Sequence, residues 1–368
     1  MNEAETPFTA LVRSLPSSIP FVGPEAIERR RGSPFEVRVG ANESAFGVSP
    51  KAAEAMREAV VNIAWYGDPE GYDLRAAIAA HHGVTMERVC LAGGVDELLG
   101  LTVRMLVEPG APVITSLGAY PTFNYHVDGF GGELIKVPYR DDHIDLAAVQ
   151  AAAHEHGAPL VYLANPDNPM GTWHSAAAVR DFISGLPEQT VLILDEAYIE
   201  FAPDGTTWPL TEDDPRVIRM RTFSKAHGMA GARIGYAVAE PHLIVGFNKI
   251  RNHFGVNRLA MAGALASLQD TDFVSRVAME VARGRDDYYA LARQHNLASL
   301  PSATNFVAID MGGDGERARR MLACLEQLGV FVRMPGIAPM DRCIRISVGV
   351  ESERALLAER FSDAFKKL

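Results

Sequence analysis

The chain has 368 residues, of which 48% are hydrophobic, enough for a large core and more than one ordinary domain holds. A formal net charge of −11 disfavours broad binding to nucleic acid or anionic membrane, although a few converging arginines can still hold a small anion. Cys90, Cys324 and Cys343 are widely spaced, so neither a disulfide framework nor a cysteine-based zinc site is indicated, no metal is expected, and a reducing, cytoplasmic setting fits. The opening MNEAETPF lacks the apolar stretch of a secretory signal, and no apolar run approaches the length of a membrane span.

Residues 1–40 read as an arm punctuated by Pro7, Pro16, Pro20, Pro24 and Pro34, with a short strand near Phe35; it joins the smaller domain or reaches a partner subunit. Ser49-Pro50 opens a helix with Ser as cap and Pro in the first turn, and a second helix runs from about Tyr72 to His82. Short apolar runs then predict buried strands at Val89–Ala92, Val113–Ser116, Leu134–Val137, Leu160–Ala164, Val191–Leu194 and Val217–Thr222. Helical stretches separate most of them, among them Asp96–Leu106, Leu146–His156 and Ala176–Ser184. Alternation of this kind predicts an α/β fold with a mostly parallel sheet covered by helices, which binds ligands at the carboxyl ends of its strands. Beyond about Pro241 helices dominate to Asn296. A strand at Phe306–Asp310, a helix at Glu316–Leu328, strands at Val330–Arg333 and Cys343–Ser347, and a final helix from Glu351 then describe a smaller α+β domain. The expected division is an arm (1–40), a large domain (41–245) and a small domain (246–368).

Six stretches carry candidate chemistry. In Thr222-Phe-Ser224-Lys225, followed by Arg233, two hydroxyls and a guanidinium supply donors for a phosphate, and an adjacent lysine can form an imine with an aldehyde. Asp195 ends an apolar strand, where an unpaired carboxylate costs several kcal/mol, so it wants a cationic partner; a pyridinium nitrogen is one, an arginine another. Tyr198 follows within reach of the same site. Gly93-Gly94-Val95-Asp96 links a strand to a helix, whose free N–H groups attract an anion, although a tight strand–helix turn uses the same residues. Asn168 lies in a proline-bounded loop, and Phe123 after a turn serves either for stacking on a ring or for core packing. Arg345 alternates with apolar residues on a strand, and its planar fork suits a carboxylate if it faces a cleft.

Taken in order, the strings GGVDE, PTF, NPDNPMG, DEAYIEF, TFSKAHGMAGARIGY and CIRISVG resemble those of fold type I, pyridoxal-phosphate-dependent aminotransferases of the histidinol-phosphate aminotransferase kind, over nearly the whole chain. The resemblance implies pyridoxal 5'-phosphate as cofactor, with Lys225 as the Schiff-base lysine and Asp195 on the pyridine nitrogen. It puts Asn168 and Tyr198 on the ring oxygen and Phe123 against the ring. Gly94, Val95, Asp96, Thr222, Ser224 and Arg233 take the phosphate. Tyr66 resembles the tyrosine that reaches the cofactor phosphate of a neighbouring subunit, which implies a homodimer. Arg345 resembles the clamp on a substrate carboxylate, Arg333 meets the far end of the substrate, and Asn42 is a substrate-contacting position. The implied reaction is a ping-pong transfer of an amino group between an amino donor, histidinol phosphate or an aromatic or other amino acid, and a 2-oxo acid such as 2-oxoglutarate.

This sequence departs from the family strings at three places. Asn42-Glu43-Ser44-Ala45 replaces N-E-N-P, Asn168-Pro169-Met170-Gly171 replaces N-P-T-G, and Phe21 stands where a tyrosine associated with the substrate phosphate is expected. Rival readings on the same scaffold are decarboxylation of a phosphorylated amino acid and, more remotely, a non-catalytic cofactor-binding regulator. A dinucleotide-binding dehydrogenase is disfavoured, because Gly93-Gly94 is not a G-x-G-x-x-G fingerprint.

Overall fold

The computed structural model describes residues 6–16 and 21–368; Pro20 and the first five residues of the expected arm lie outside them. A seven-stranded sheet runs in the order Val89–Ala92, Gly235–Val238, Val217–Thr222, Val191–Asp195, Leu160–Ala164, Pro112–Ser116, Glu133–Val137. Every pairing is parallel except the two made by Gly235–Val238, which runs antiparallel between its neighbours. That strand is absent from the sequence expectation, because Gly-Tyr-Ala-Val is short and follows a glycine-rich stretch that reads as loop. Its apolar character is nonetheless that of a strand covered on both faces, and all four residues are buried.

Helix starts follow local chemistry. Ser49 caps Pro50–Ala59 by accepting from the Ala52 N–H at 3.4 Å, and Asp145 caps Leu146–His156 by accepting from Ala148 at 3.1 Å. The stretch read as a turn before Phe123 instead opens the helix Pro121–Phe130, with Pro at its first position. The last small-domain strands are Val330–Phe331 and Cys343–Ser347; the run expected to reach Arg333 ends as a ladder at Phe331 and continues as a single bridge, Arg333 to Arg345.

Hydrophobic packing separates a large and a small core. Phe273, Val277, Val281, Phe306, Ile309, Met321, Ile344, Ile346 and Phe361 gather in the small core, and Val37 and Val39 of the arm join them. Val37–Arg38 pairs in parallel with Val330–Phe331, so this part of the arm belongs to the small body. The helix Arg258–Leu268 places Ala260, Ala264 and Leu268 with Leu74, Ile78 and Phe223. Large-body packing therefore runs past the division expected at 245/246. Among the described residues no helix is long and apolar enough to cross a membrane.

One ion cluster holds the edge of the site from below. Arg219 has no exposed surface; its Nε donates to Glu196 Oε2 at 3.0 Å, its Nη1 to Asp213 Oδ1 at 2.9 Å, and its guanidinium lies 4.4 Å from the Trp208 ring. Arg221 Nε adds a bond to Glu196 Oε2 at 2.9 Å. Burial would push the Glu196 carboxyl up, but Arg221 and Arg219 override it and hold it down at about 2. Glu196 directly follows Asp195, so the cluster pins the strand end that carries Asp195. Replacing Arg219 with leucine leaves Glu196 and Asp213 buried and underpaired; urea unfolding is expected to show a loss of about 3–5 kcal/mol.

Candidate active site

The carboxyl ends of five sheet strands converge here. Asp195 ends its strand at 6% exposure, in register with Ala164 on one side and Met220 on the other. Its Oδ2 accepts from the Tyr162 hydroxyl at 2.8 Å and its Oδ1 from the Ala197 N–H at 3.0 Å. Burial pushes this carboxyl up to about 6, against those two hydrogen bonds and the charge of Lys225. Phe123 is fully buried and stacks on Tyr162, ring centroids 4.5 Å apart and 15° from parallel. It therefore fixes the ring whose hydroxyl orients Asp195. Tyr162 is missing from the sequence-derived set. Its signal was a hydroxyl-bearing residue inside a wholly buried strand, where a partner is obligatory.

Lys225 stands opposite. Its Nζ donates to the Asn42 carbonyl at 3.0 Å and lies 5.4 Å from the centre of the Tyr198 ring. Asn42 is buried with φ of 55°, a left-handed conformation that asparagine tolerates. Its amide donates to the Tyr198 oxygen at 3.0 Å, its side-chain oxygen accepts from Ser347 Oγ at 3.0 Å, and Asn305 donates to its carbonyl at 3.1 Å. One residue thus ties the lysine and Tyr198 to the end of a small-domain strand. Gly228, with φ of +70°, comes so close to the Gly47 backbone that a Cβ there would lie 1.8 Å from its carbonyl oxygen.

An anion cradle forms where Gly235 pairs with Ala92 on one side and Thr222 on the other. Gly94, with φ of +96°, leads into the helix Val95–Leu106, so the N–H groups of Val95 and Asp96 open this end. The Thr222 and Ser224 hydroxyls lie 2.9 Å apart. Arg233 reaches in with one nitrogen 3.4 Å from Asp96 Oδ2, and a Cβ on Gly94 would fall 2.5 Å from that nitrogen. Asp96 also accepts from the Tyr120 hydroxyl at 2.9 Å.

At the opposite end, Arg345 donates to the Asn168 side-chain oxygen, lies 5.2 Å from the Phe306 ring centre, and keeps a buried Nε without a partner. Burial lowers the pKa of both Arg345 and Arg333. Arg333 sits beside Arg345 across the bridge, donates to the Val22 carbonyl at 2.7 Å, and lies 5.7 Å from the Phe21 ring centre. Phe21 in turn meets Tyr120 at 6.3 Å. Tyr66 stands apart, 77% exposed, with its ring tilted against Phe254 at 4.6 Å between centroids. Among the described residues no group of three or more His, Cys, Asp or Glu side chains is placed to hold a metal ion.

The family profile described as aminotransferase class I and II matches residues 36–361. This chain belongs to that family. A histidinol-phosphate aminotransferase 2 from Ralstonia nicotianae is 37% identical over 87% of this chain and 86% of its own. One from Carboxydothermus hydrogenoformans is 35% identical over 90% of this chain and 91% of its own. Among solved structures, the histidinol-phosphate aminotransferase of Sinorhizobium meliloti, in complex with pyridoxal-5'-phosphate, superimposes with a TM-score of 0.96 at 49% identity over 99% of both chains. Thermus thermophilus aspartate aminotransferase shares the fold, with a TM-score of 0.82 at 21% identity over 97% of this chain and 99% of its own.

The aminotransferase is a pyridoxal-phosphate enzyme, and the residues present fit that group. Glycine at position 94 lets the Arg233 guanidinium lie against the helix N-terminus, where a Cβ would collide with it, and Asp195 is a buried carboxylate to which the described residues give hydrogen bonds but no salt bridge. Tyr162→Phe removes a bond that favours the ionised form of Asp195. A weaker grip on the cationic ring nitrogen is therefore expected, with cofactor affinity falling about three- to tenfold in a fluorescence titration.

Proposed function

We propose that this aminotransferase moves the amino group of histidinol phosphate to a 2-oxo acid such as 2-oxoglutarate, in two half-reactions at one site. The observation that carries this reading is the pairing of Arg345 with Arg333. Two arginines that face each other across an antiparallel bridge suit an anion beside the reacting carbon, whether the carboxylate of an oxo acid or the phosphate ester of histidinol phosphate. The names of the relatives support the same donor and give no support to decarboxylation.

Pyridoxal phosphate, when bound, supplies an electron sink for the bond being broken. Lys225 would anchor it, and its free Nζ would take the proton from the donor's α-carbon and later return one. Asp195 would meet the pyridine nitrogen and keep it protonated. The Tyr198 oxygen already accepts from Asn42, which leaves its own proton free for the cofactor's ring oxygen. Asn168 gives its side-chain oxygen to Arg345, which leaves its amide N–H free for the same oxygen. The Val95 and Asp96 N–H groups, Thr222, Ser224 and Arg233 would take the phosphate, whereas Phe123, expected against the cofactor ring, is fully buried on Tyr162 and acts through that residue on Asp195.

A second copy of the chain covers the exposed Val61, Ile63, Trp65, Tyr66 and Phe254, and carries Tyr66 to the partner's cofactor phosphate. The setting is cytoplasmic. A homodimer is expected by sedimentation, and Tyr66→Ala is expected to weaken cofactor affinity about tenfold in a fluorescence titration. A monomeric protein of unchanged affinity would exclude this arrangement.

One observation favours a second donor class. Phe21 and Tyr120 present two rings beside Arg333, and Phe21 lacks a hydroxyl for a phosphate. Aromatic amino acids are therefore the competing donors. In purified enzyme, histidinol phosphate should bleach the yellow of the bound cofactor and give a higher kcat/KM than phenylalanine or tyrosine; the reverse ranking would reassign the donor. Lys225→Ala should lose the yellow form and at least ~10³-fold of turnover.

A further inference from the structure

We infer that Asp142 and Arg342 form a brace between the two bodies, and that this brace positions Arg345 for the anion beside the reacting carbon of either substrate. The inference rests on the reading of Arg345 as the anion clamp. Asp142 is at the tip of a hairpin whose antiparallel strands, Tyr139–Arg140 and His143–Ile144, are joined by Asp141 and Asp142 alone. Ile144 packs with Ile114, Val161 and Leu194, so the hairpin is rooted in the large body. Arg342 immediately precedes the small-body strand Cys343–Ser347, on which Arg345 lies three residues further along.

The Arg342 guanidinium is caught between two carboxylates. Its Nε donates to Asp310 Oδ2 at 2.7 Å, which ties it to the neighbouring strand Phe306–Asp310, and its Nη2 donates to Asp142 Oδ2 at 2.7 Å. All three side chains are half-buried, between 21% and 26% exposed. On the large-body side the Asp142 carbonyl accepts from Thr172 Oγ1 at 3.0 Å, and the Thr172 carbonyl accepts from the Asp167 N–H at 2.8 Å. Asn168, inside that loop, gives its side-chain oxygen to Arg345. The contacts close a circuit: Arg345 to the Asn168 loop, the loop to Asp142, Asp142 to Arg342, and Arg342 back along its own strand to Arg345. Beside the circuit the two bodies approach closely, since a Cβ on Gly118 would lie 2.3 Å from Met340 Cε.

The backbone at the tip gives a second reason to assign the carboxylate a task. Asp141 and Asp142 have φ of 51° and 62°, both left-handed. A two-residue hairpin connection of that kind is served best by Asp-Gly or Asn-Gly, because glycine takes positive φ without a Cβ penalty. Aspartate at 142 suits the turn less well than glycine, and what it adds is an anion for Arg342. An ion pair at this exposure contributes little to the stability of one body. Across two bodies it acts on their relative position. Only the docked arrangement brings Arg345 against Asn168, and substrate affinity scales with the fraction of molecules so docked. Asp142 and Arg342 are thus positioning residues that act through Arg345, on both substrates alike.

Asp142→Gly is the direct test, since it keeps the turn and removes the anion. In the holoenzyme the KM for 2-oxoglutarate and for the preferred donor, histidinol phosphate or an aromatic amino acid, should rise together by about two- to fivefold. Cofactor affinity in a fluorescence titration should stay at the wild-type value, because Asp195, Lys225 and the anion cradle all belong to the large body; a general loosening of the fold would lower it. Asp142→Asn, which tolerates positive φ and leaves Arg342 an uncharged acceptor, should fall between wild type and Asp142→Gly. Arg342→Gln should raise both KM values, and adding Asp142→Gly to it should raise them no further. Unchanged KM values in Asp142→Gly, a matching loss of cofactor affinity, or effects that multiply in the double variant overturn the proposal. Arg345→Gln separates the two levels. If it raises both KM values while Asp142→Gly moves neither, the brace is wrong and the clamp stands; if it moves neither, the clamp reading fails and the brace with it.

Discussion

A carboxylate at the end of a buried strand, bonded to two neutral donors and, among the described residues, to no cation, is the constraint around which this molecule is arranged. Asp195 could not remain there without the hydroxyl of Tyr162, and Tyr162 could not present that hydroxyl without Phe123 stacked behind it. The following residue, Glu196, is clamped by Arg219 and Arg221, so the strand end has little freedom to turn its acid elsewhere. The carboxyl is left raised, which is the state that a cationic ring nitrogen relieves.

The same logic runs through the rest of the site. Each functional side chain has one bonding capacity occupied by the protein and one left over. Asn42 accepts at Tyr198 nothing and donates to it, so the phenol keeps its proton; Asn168 spends its oxygen on Arg345 and keeps its amide. Preorganisation of this kind removes the rotamer freedom that substrate binding would otherwise have to quench. It also explains why residues of two cores are needed. Asn42 links Lys225 in the large body to Ser347 in the small one, and Arg345 approaches Asn168 from the small-domain sheet.

Much of this was legible in the sequence because it depends on local pattern. Apolar runs of strand length, Ser and Asp caps, and a lysine after two hydroxyls place the sheet, most of the helices and the cofactor end of the site. The strand Gly235–Val238 escaped because four residues beside glycines carry too little periodicity, and only the ladders on both sides define it. Tyr162 and Tyr120 escaped for another reason: their roles arise from contacts with Asp195 and Asp96, each distant in the chain, and nothing in their neighbours announces them. The packing of Arg258–Leu268 with the large core was equally hidden, since an apolar helix face does not say which core it will join.

The antiparallel strand has a consequence for how the molecule is born. Gly94 and Thr222 belong to distant parts of the chain and become neighbours only when Gly235–Val238 slips between their strands. Long-range pairings of this sort close late, after the local units have collapsed. A nascent chain released before residue 235 can form several of the parallel pairs, yet it holds two half-cradles that do not meet. A ligand that binds the completed cradle therefore favours chains in which this strand has found its slot.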